Sequence, residues 1–290
     1  MTGIYVAQIN YYPVKSCAGI SVRSAELDAR GIKHDRELMI VGKNKDDKYE
    51  LVRQSRHPSM ALILSNINNG FFSFVAPHMP SRSFPIVRHG DALDVIVHKN
   101  VCAAIDQGNE AAGWFSEALG GDYRVVRMAD TFVRGVDPKY APRGSDQVGF
   151  QDGYPLLLIS EESLRDLNSH LKEKVLMNRF RPNLVIKGSR VPYIEDGMKR
   201  IKVGEMYFDV VKPCDRCPIP NINQERGTLD PNKEVTKALN KYRRAEFNSE
   251  GKVLFGQNIV HEAPGRINLG DKVEVMEYKK NEEKLQWTTK

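Results

Sequence analysis

No stretch of this 290-residue chain approaches the ~18 apolar residues of a membrane-crossing helix. Its longest clean apolar run, Tyr154 to Ile159, has the length of a buried strand. Cysteine is scarce: four residues in the chain are too few for a disulfide framework. Cys17 and Cys102 stand alone and read as small buried hydrophobes. The opening residues, MTGIYVAQINYYPVKS, lack the basic start, long apolar run and small-residue cleavage site of a signal peptide, which predicts a cytoplasmic protein with no membrane contact. There is no internal repeat. RNP-like, zinc-finger and basic-helix patterns are also missing, so the net charge of +6 does not imply a nucleic-acid partner. The cations are scattered among nearly as many acids, and a small anionic ligand would need only a few of them.

What is present reads as soluble and globular, with 41% hydrophobic and 28% charged residues. The first hundred residues carry short β-branched and aromatic runs at 4–10, 37–41, 71–75 and 93–98, separated by Gly, Asn, Asp and Pro; this spacing predicts a small barrel or sandwich. A helix follows, capped by Asn109, with Trp114, Phe115, Ala118 and Leu119 on one face and Gly120-Gly121 as its stop. A loop-like region spans 130 to 151 and is expected to help build a binding pocket. The strand at 154–160 leads into a helix with Ser160 as N-cap and a stripe of Leu164, Leu167, Leu171 and Val175. A third helix is expected at about 231–243, and further strands at 183–188, 203–211, 258–262 and 272–277. The prediction is a mainly β fold with some α (α+β): one β module over 1–120, a second over 125–277, and a charged tail at 278–290.

The richest segment is VKPCDRCPIPN, residues 211 to 221. Cys214 and Cys217 admit three readings. A redox dithiol works best at a helix start, and Pro218 and Pro220 oppose a helix there. A structural zinc needs four ligands, and no histidine lies within forty residues of Cys217. A single thiolate, serving a soft metal or acting as a nucleophile, suits a loop stiffened by Pro213, Pro218 and Pro220, with Arg216 beside Cys217 favouring the thiolate. Spacing alone does not choose between metal and nucleophile.

KPCDRC, with Gly227 ten residues beyond Cys217, resembles the cysteine motif of MOSC-domain proteins, in the branch that contains the mitochondrial amidoxime-reducing component and its bacterial relatives. YPVKSCAGI, GIKHDRELMIV, DGYPLLLIS, RFRPNLVI, LFGQN and GRINLGDKVEV match that branch in order, so the resemblance covers roughly residues 3 to 277. It implies a β-barrel-like MOSC domain with an N-terminal β-barrel or sandwich domain. It also implies the molybdenum cofactor, a pterin dithiolene with a terminal phosphate; pyridoxal phosphate is not expected. By position, Cys217 would be the metal's thiolate ligand and Cys214 a cysteine that is not a ligand. Lys15, Ser16, Arg36, Arg181, Asn183, Asp215, Arg216 and Asn258 would surround the cofactor, Asn183 at the pterin edge and Asp215 and Arg216 partly through backbone N–H groups. Asp152 would lie close by, where a carboxylate relays protons.

The implied activity is reduction of N-hydroxylated compounds (amidoximes, hydroxylamines, N-hydroxylated bases). A cysteine-persulfide sulfur carrier and a non-catalytic cofactor-binding protein are the alternatives. No cysteine follows Cys217, so an appended iron–sulfur domain is not expected, and electrons would come from a separate ferredoxin- or flavoprotein-type reductase. The relatives often read T-T-V-D three to six residues beyond the ligand cysteine, where this chain has Pro220, Asn221, Ile222 and Asn223; the lost charge at Asn223 bears on substrate preference and proton delivery.

Overall fold

A computed structural model describes residues 3–244 and 253–280. It is mainly β, as the composition of the runs predicts, and two closed arrangements of strands dominate. The first barrel is formed by Ala92–Val97, Asn100–Asp106, Arg124–Met128, Leu38–Lys43 and Tyr49–Leu51, closed by parallel pairing of Tyr49 and Glu50 with Val95 and Ile96. Alternation packs Met39, Val41, Val95, Val97, Cys102 and Ala104 into one cluster. The other side of the Leu38–Lys43 strand contributes Leu38 and Ile40 to a second cluster, where Phe74 stacks on Trp114 and meets Phe115 edge-on. Phe74 comes from the Phe71–Val75 strand, and Trp114 and Phe115 from the Asn109–Leu119 helix. Its N-cap is Gly108, not Asn109, because Asp106 Oδ1 accepts from Gly108 N and sets the turn one residue earlier. Gly120 ends it with φ 67°, the left-handed conformation glycine adopts without cost.

The second barrel closes through the chain's first strand. Ile4–Tyr11 pairs with both Leu184–Lys187 and Lys272–Tyr278, completing a ring with Leu156–Ser160, Leu254–His261, Met206–Asp215 and Met198–Val203. Val6 and Ile9 therefore lie in one core cluster with Leu158, Leu184, Ile201, Phe208 and Ile259. The Leu156–Ser160 and Leu184–Lys187 strands run parallel, and the Glu161–Ser169 helix lies on the crossover between them. Ser160 caps that helix as expected, its side chain accepting from Ser163 N at 3.1 Å. The helix stops at Ser169, short of Leu171 and Val175. Asn168 brackets Val175 there, donating to its carbonyl and accepting from its N–H, so the chain turns after the helix yet Val175 stays buried. The last helix runs Glu234–Tyr242, with Val235, Ala238 and Leu239 buried. Of the expected charged tail, residues 281–290 lie outside the described residues. None of the described helices is long and apolar enough to cross a membrane.

Candidate functional site

The Met206–Asp215 strand runs further than its sequence suggests, carrying Cys214 and Asp215 before the chain turns. Pro213 removes one ladder donor, and its pairing with Leu254–His261 shifts register on both sides, between Val210 and Lys212 and between Pro213 and Asp215. Such bulges re-aim side chains at a barrel's rim. Beyond it, Pro218 and Pro220 fit a short 3₁₀ turn, Ile219–Asn221. Cys217 stands exposed between strand and turn.

This segment forms one wall of a cavity of about 220 Å³ between the two barrels. Lys15, Ser16, Arg36, Asp152, Arg181, Asn183, Asp215, Arg216, Cys217 and Asn258, the ten candidate residues of the sequence, all line it. The lining holds five cations (Lys15, Arg36, Arg53, Arg181, Arg216) against two acids, Asp152 and Asp215. Four lining residues adopt positive φ without being glycine: Ser16 at 73°, Arg36 at 49°, His98 at 56° and Arg181 at 55°. Such conformations cost energy and cluster where function requires a particular side-chain direction.

Tyr12 organises two of the arginines. Its ring lies between guanidinium groups, with Arg36 4.1 Å and Arg181 4.2 Å from its centroid. Arg36 also donates to both Asp35 oxygens, at 2.7 and 2.6 Å, and to Asn183 Oδ1 at 3.1 Å. Arg181 is buried, yet its Nη2 has no partner among the described residues, and neither has Arg216 Nε. Buried donors in this state call for an acceptor.

Several expected roles change. Asn183 is committed inside the protein: Oδ1 accepts from Arg36 and from Leu157 N, and Nδ2 donates to Asn10 O. It positions Arg36 rather than offering its edge to a pterin. The Arg216 N–H is taken by Val253 O at 2.9 Å, so it is not a free backbone donor. Its guanidinium lies beside the other cysteine, with Nη1 3.1 Å from Cys214 Sγ and Nη2 donating to Phe180 O. Burial pushes the Cys214 thiol up, and Arg216 offsets this only in part. Asn258 lies in the Leu254–His261 strand, and its Nδ2 reaches Pro213 O at 3.5 Å. Asn223 is outside the cavity; its Oδ1 accepts from the N–H groups of Glu225 and Arg226 in a turn. Of the 130–151 loop, only Gln151 lines the cavity. Arg134 supports it from behind through the carbonyls of Gly149, Gln151 and Asp152.

Asp152 sits at the rim. Lys15 Nζ donates to its Oδ1, and His98 Nε2 lies 2.9 Å from the same oxygen. Desolvation works against ionisation, but Lys15 and His98 together hold this carboxyl well below the usual carboxylate range. Both contacts favour the ionised form of Asp152. Burial pulls the Lys15 ammonium below its ordinary value, and Asp152 only partly restores it. The sequence pairs Asp35 with Arg36 in the matched block but gives no role to Tyr12, Arg53 or His98. A signal existed for His98: it occupies a two-residue hairpin turn where asparagine or glycine is usual.

Family models match in two blocks, a MOSC N-terminal beta barrel domain over residues 3–122 and a MOSC domain over 145–274. Mitochondrial amidoxime-reducing component 1 of Mus musculus is 31% identical over 288 residues, covering 92% of this chain and 81% of that protein. The chain belongs to the MOSC family. The Homo sapiens amidoxime-reducing component 1 is 33% identical, covering 92% of this MOSC protein and 82% of its relative. A protein named molybdenum cofactor sulfurase from Arabidopsis thaliana is 31% identical over 93% of this chain, which spans only 35% of the sulfurase. The MOSC match contains Asp152, Arg181, Cys217 and Asn258, and the N-terminal match contains Lys15, Ser16 and Arg36, so residues from both blocks meet at the one cavity.

Proposed function

We propose that this MOSC protein is a molybdenum-cofactor-binding oxidoreductase that reduces small N-hydroxylated compounds, with Cys217 as the protein's ligand to the metal. The observation that carries this reading is the convergence of an exposed cysteine, five cations and two unpartnered guanidinium nitrogens on one cavity. The names of the mouse and human relatives supply the reaction class. The residues fit the group: a thiol on a proline-stiffened turn suits a thiophilic metal, and orphaned arginine donors suit a phosphate. When bound, the cofactor supplies two-electron chemistry at its metal.

The chain's own residues then have distinct tasks. Cys217 holds the metal. Cys214, kept as a thiol by burial, does not compete for it. Arg181 and Arg216 offer N–H donors to the phosphate, and Tyr12 and Asn183 keep Arg181 and Arg36 in place. The Lys15 ammonium is the buried proton-bearing group of the cavity, with Asp152 as its counter-ion. Electrons come from a separate ferredoxin- or flavoprotein-type reductase.

Elemental analysis and benzamidoxime reduction test this. Wild type is expected to carry about one molybdenum per chain. Cys217→Ser is expected to lose metal and activity, and Cys214→Ser to keep both. Metal and turnover retained in Cys217→Ser would sink the reading. The exposure of Cys217 also supports a sulfur carrier, in line with the plant relative's name. That alternative requires a persulfide, about 32 Da heavier, on Cys217 of freshly purified protein lacking molybdenum.

A further inference from the structure

We infer that His98 is a positioning residue of this cavity: from the hairpin turn of the first barrel it clamps Asp152, and through Asp152 it keeps the Lys15 ammonium charged and in place. The inference rests on the reading of the cavity as a site for an anionic group.

Three observations support it. First, His98 holds φ 56° between the paired residues Val97 and Asn100, a conformation in which a bulky side chain is disfavoured. The turn itself does not require imidazole. Second, the ring's tautomer is set by its neighbours. Arg53 Nη1 lies 3.4 Å from His98 Nδ1, and a guanidinium can only donate. Nδ1 must accept, which leaves the proton on Nε2, facing Asp152 Oδ1. Third, Asp152 needs the clamp and Lys15 needs Asp152. The Asp152 side chain is 71% exposed while that of Lys15 is 8% exposed. An exposed carboxylate bound by one ion pair is weakly held; a second donor on the same oxygen fixes it.

The groups facing Lys15 are Asp152, Arg36, Arg134 and Cys102, and those facing His98 are Asp152 and Arg53, the latter paired with Glu50. Of those facing Lys15, Asp152 sustains its charge, whereas burial, Arg36 and Arg134 all favour the neutral amine. If Asp152 swings away, Lys15 loses its proton at lower pH.

The test compares His98→Gln, whose amide nitrogen reaches as far as Nε2, with His98→Asn, which suits the left-handed turn but falls short of Asp152. In the full chain, the carbon-13 shift of Lys15 Cε is followed as pH rises. The midpoint is expected to move to lower pH in His98→Asn and to stay at the wild-type position in His98→Gln. Molybdenum retained after dialysis at pH 9 is expected to fall about tenfold faster in His98→Asn, the value of one charge-assisted hydrogen bond. A wild-type Lys15 midpoint in His98→Asn overturns the inference, as does a His98→Gln midpoint that follows His98→Asn. If wild type holds no molybdenum, the cofactor reading fails, and the Lys15 titration still decides the role of His98.

Discussion

Tyr12 shows how one side chain sets the chemistry of its neighbours. Its ring separates two guanidinium groups that would otherwise repel, and its hydroxyl donates to Pro182 O at 3.1 Å. Replacing it with leucine removes both stacks and the hydrogen bond, and is expected to cost about 2 kcal/mol in urea unfolding, with Tyr12→Phe losing about half of that. Gly227 explains its own place in the motif. It holds φ +61°, and a Cβ there would meet Leu62 Cγ at 2.9 Å and Ser59 Cα at 3.2 Å. Gly227→Ala is expected to destabilise by about 2 kcal/mol or more, and to loosen the contact on which the chain beyond Cys217 docks against the first module. A denaturation midpoint equal to wild type would refute this. Cys17 and Cys102 are both buried, as the sequence implied, and burial raises the Cys17 thiol to about 12, outside any useful reactivity.

Among the elements, the Leu38–Lys43 strand is anchored at its entrance by Glu37. Burial opposes the ionisation of this residue, but His34 at 2.6 Å and Arg127 at 2.5 Å hold its carboxyl down at about 2. The folded value lies below the ordinary 4.5, so the stabilisation is present above pH 4.5 and is lost as pH falls through about 2. Wild type is expected to lose up to about 3 kcal/mol across that window that Glu37→Gln does not lose, as read from acid unfolding followed by circular dichroism. The elements also show how far local pattern carries. The Phe71–Val75 strand is legible to the residue from its aromatic and β-branched content, although Phe71 and Val75 face outward and blur the alternation that its burial shows. The Met206–Asp215 strand was read short, because Pro213 and Cys214 look like loop residues and only pairing with Leu254–His261 keeps them in the sheet. The stripe from Leu164 to Val175 reads as one helix because Leu171 and Val175 continue the helical spacing and pack on the same cluster, although the chain has already turned after Ser169.

At the scale of the molecule, the two barrels share chain. The Ile4–Tyr11 strand leads directly to Lys15 and Ser16, so one segment closes the second barrel and lines the cavity. A fragment beginning at residue 125 would leave Leu184–Lys187 and Lys272–Tyr278 without the strand between them and expose Ile186 and Val273. It is expected to show no cooperative thermal transition, and to gain one when a peptide of residues 3–12 is added; a sharp unaided transition would show the modules to be independent. Gln54 and Gln224, exchanging amide hydrogen bonds at 3.0 and 3.3 Å, tie the modules together beside the cavity. By itself the sequence determined the β-rich class, the positions of about half of the strands, the glycine stop of the Asn109–Leu119 helix and the residue types able to hold an anionic, thiophilic group, because those properties are written in local periodicity and side-chain chemistry. Only the tertiary structure decided that Arg216 lies against Cys214, that Asn183 bonds Arg36, that Asp152 meets both Lys15 and His98, and that His98 lines the cavity. Each of these depends on a partner distant in sequence or on burial that lowers the local dielectric, and neither can be read from spacing along the chain.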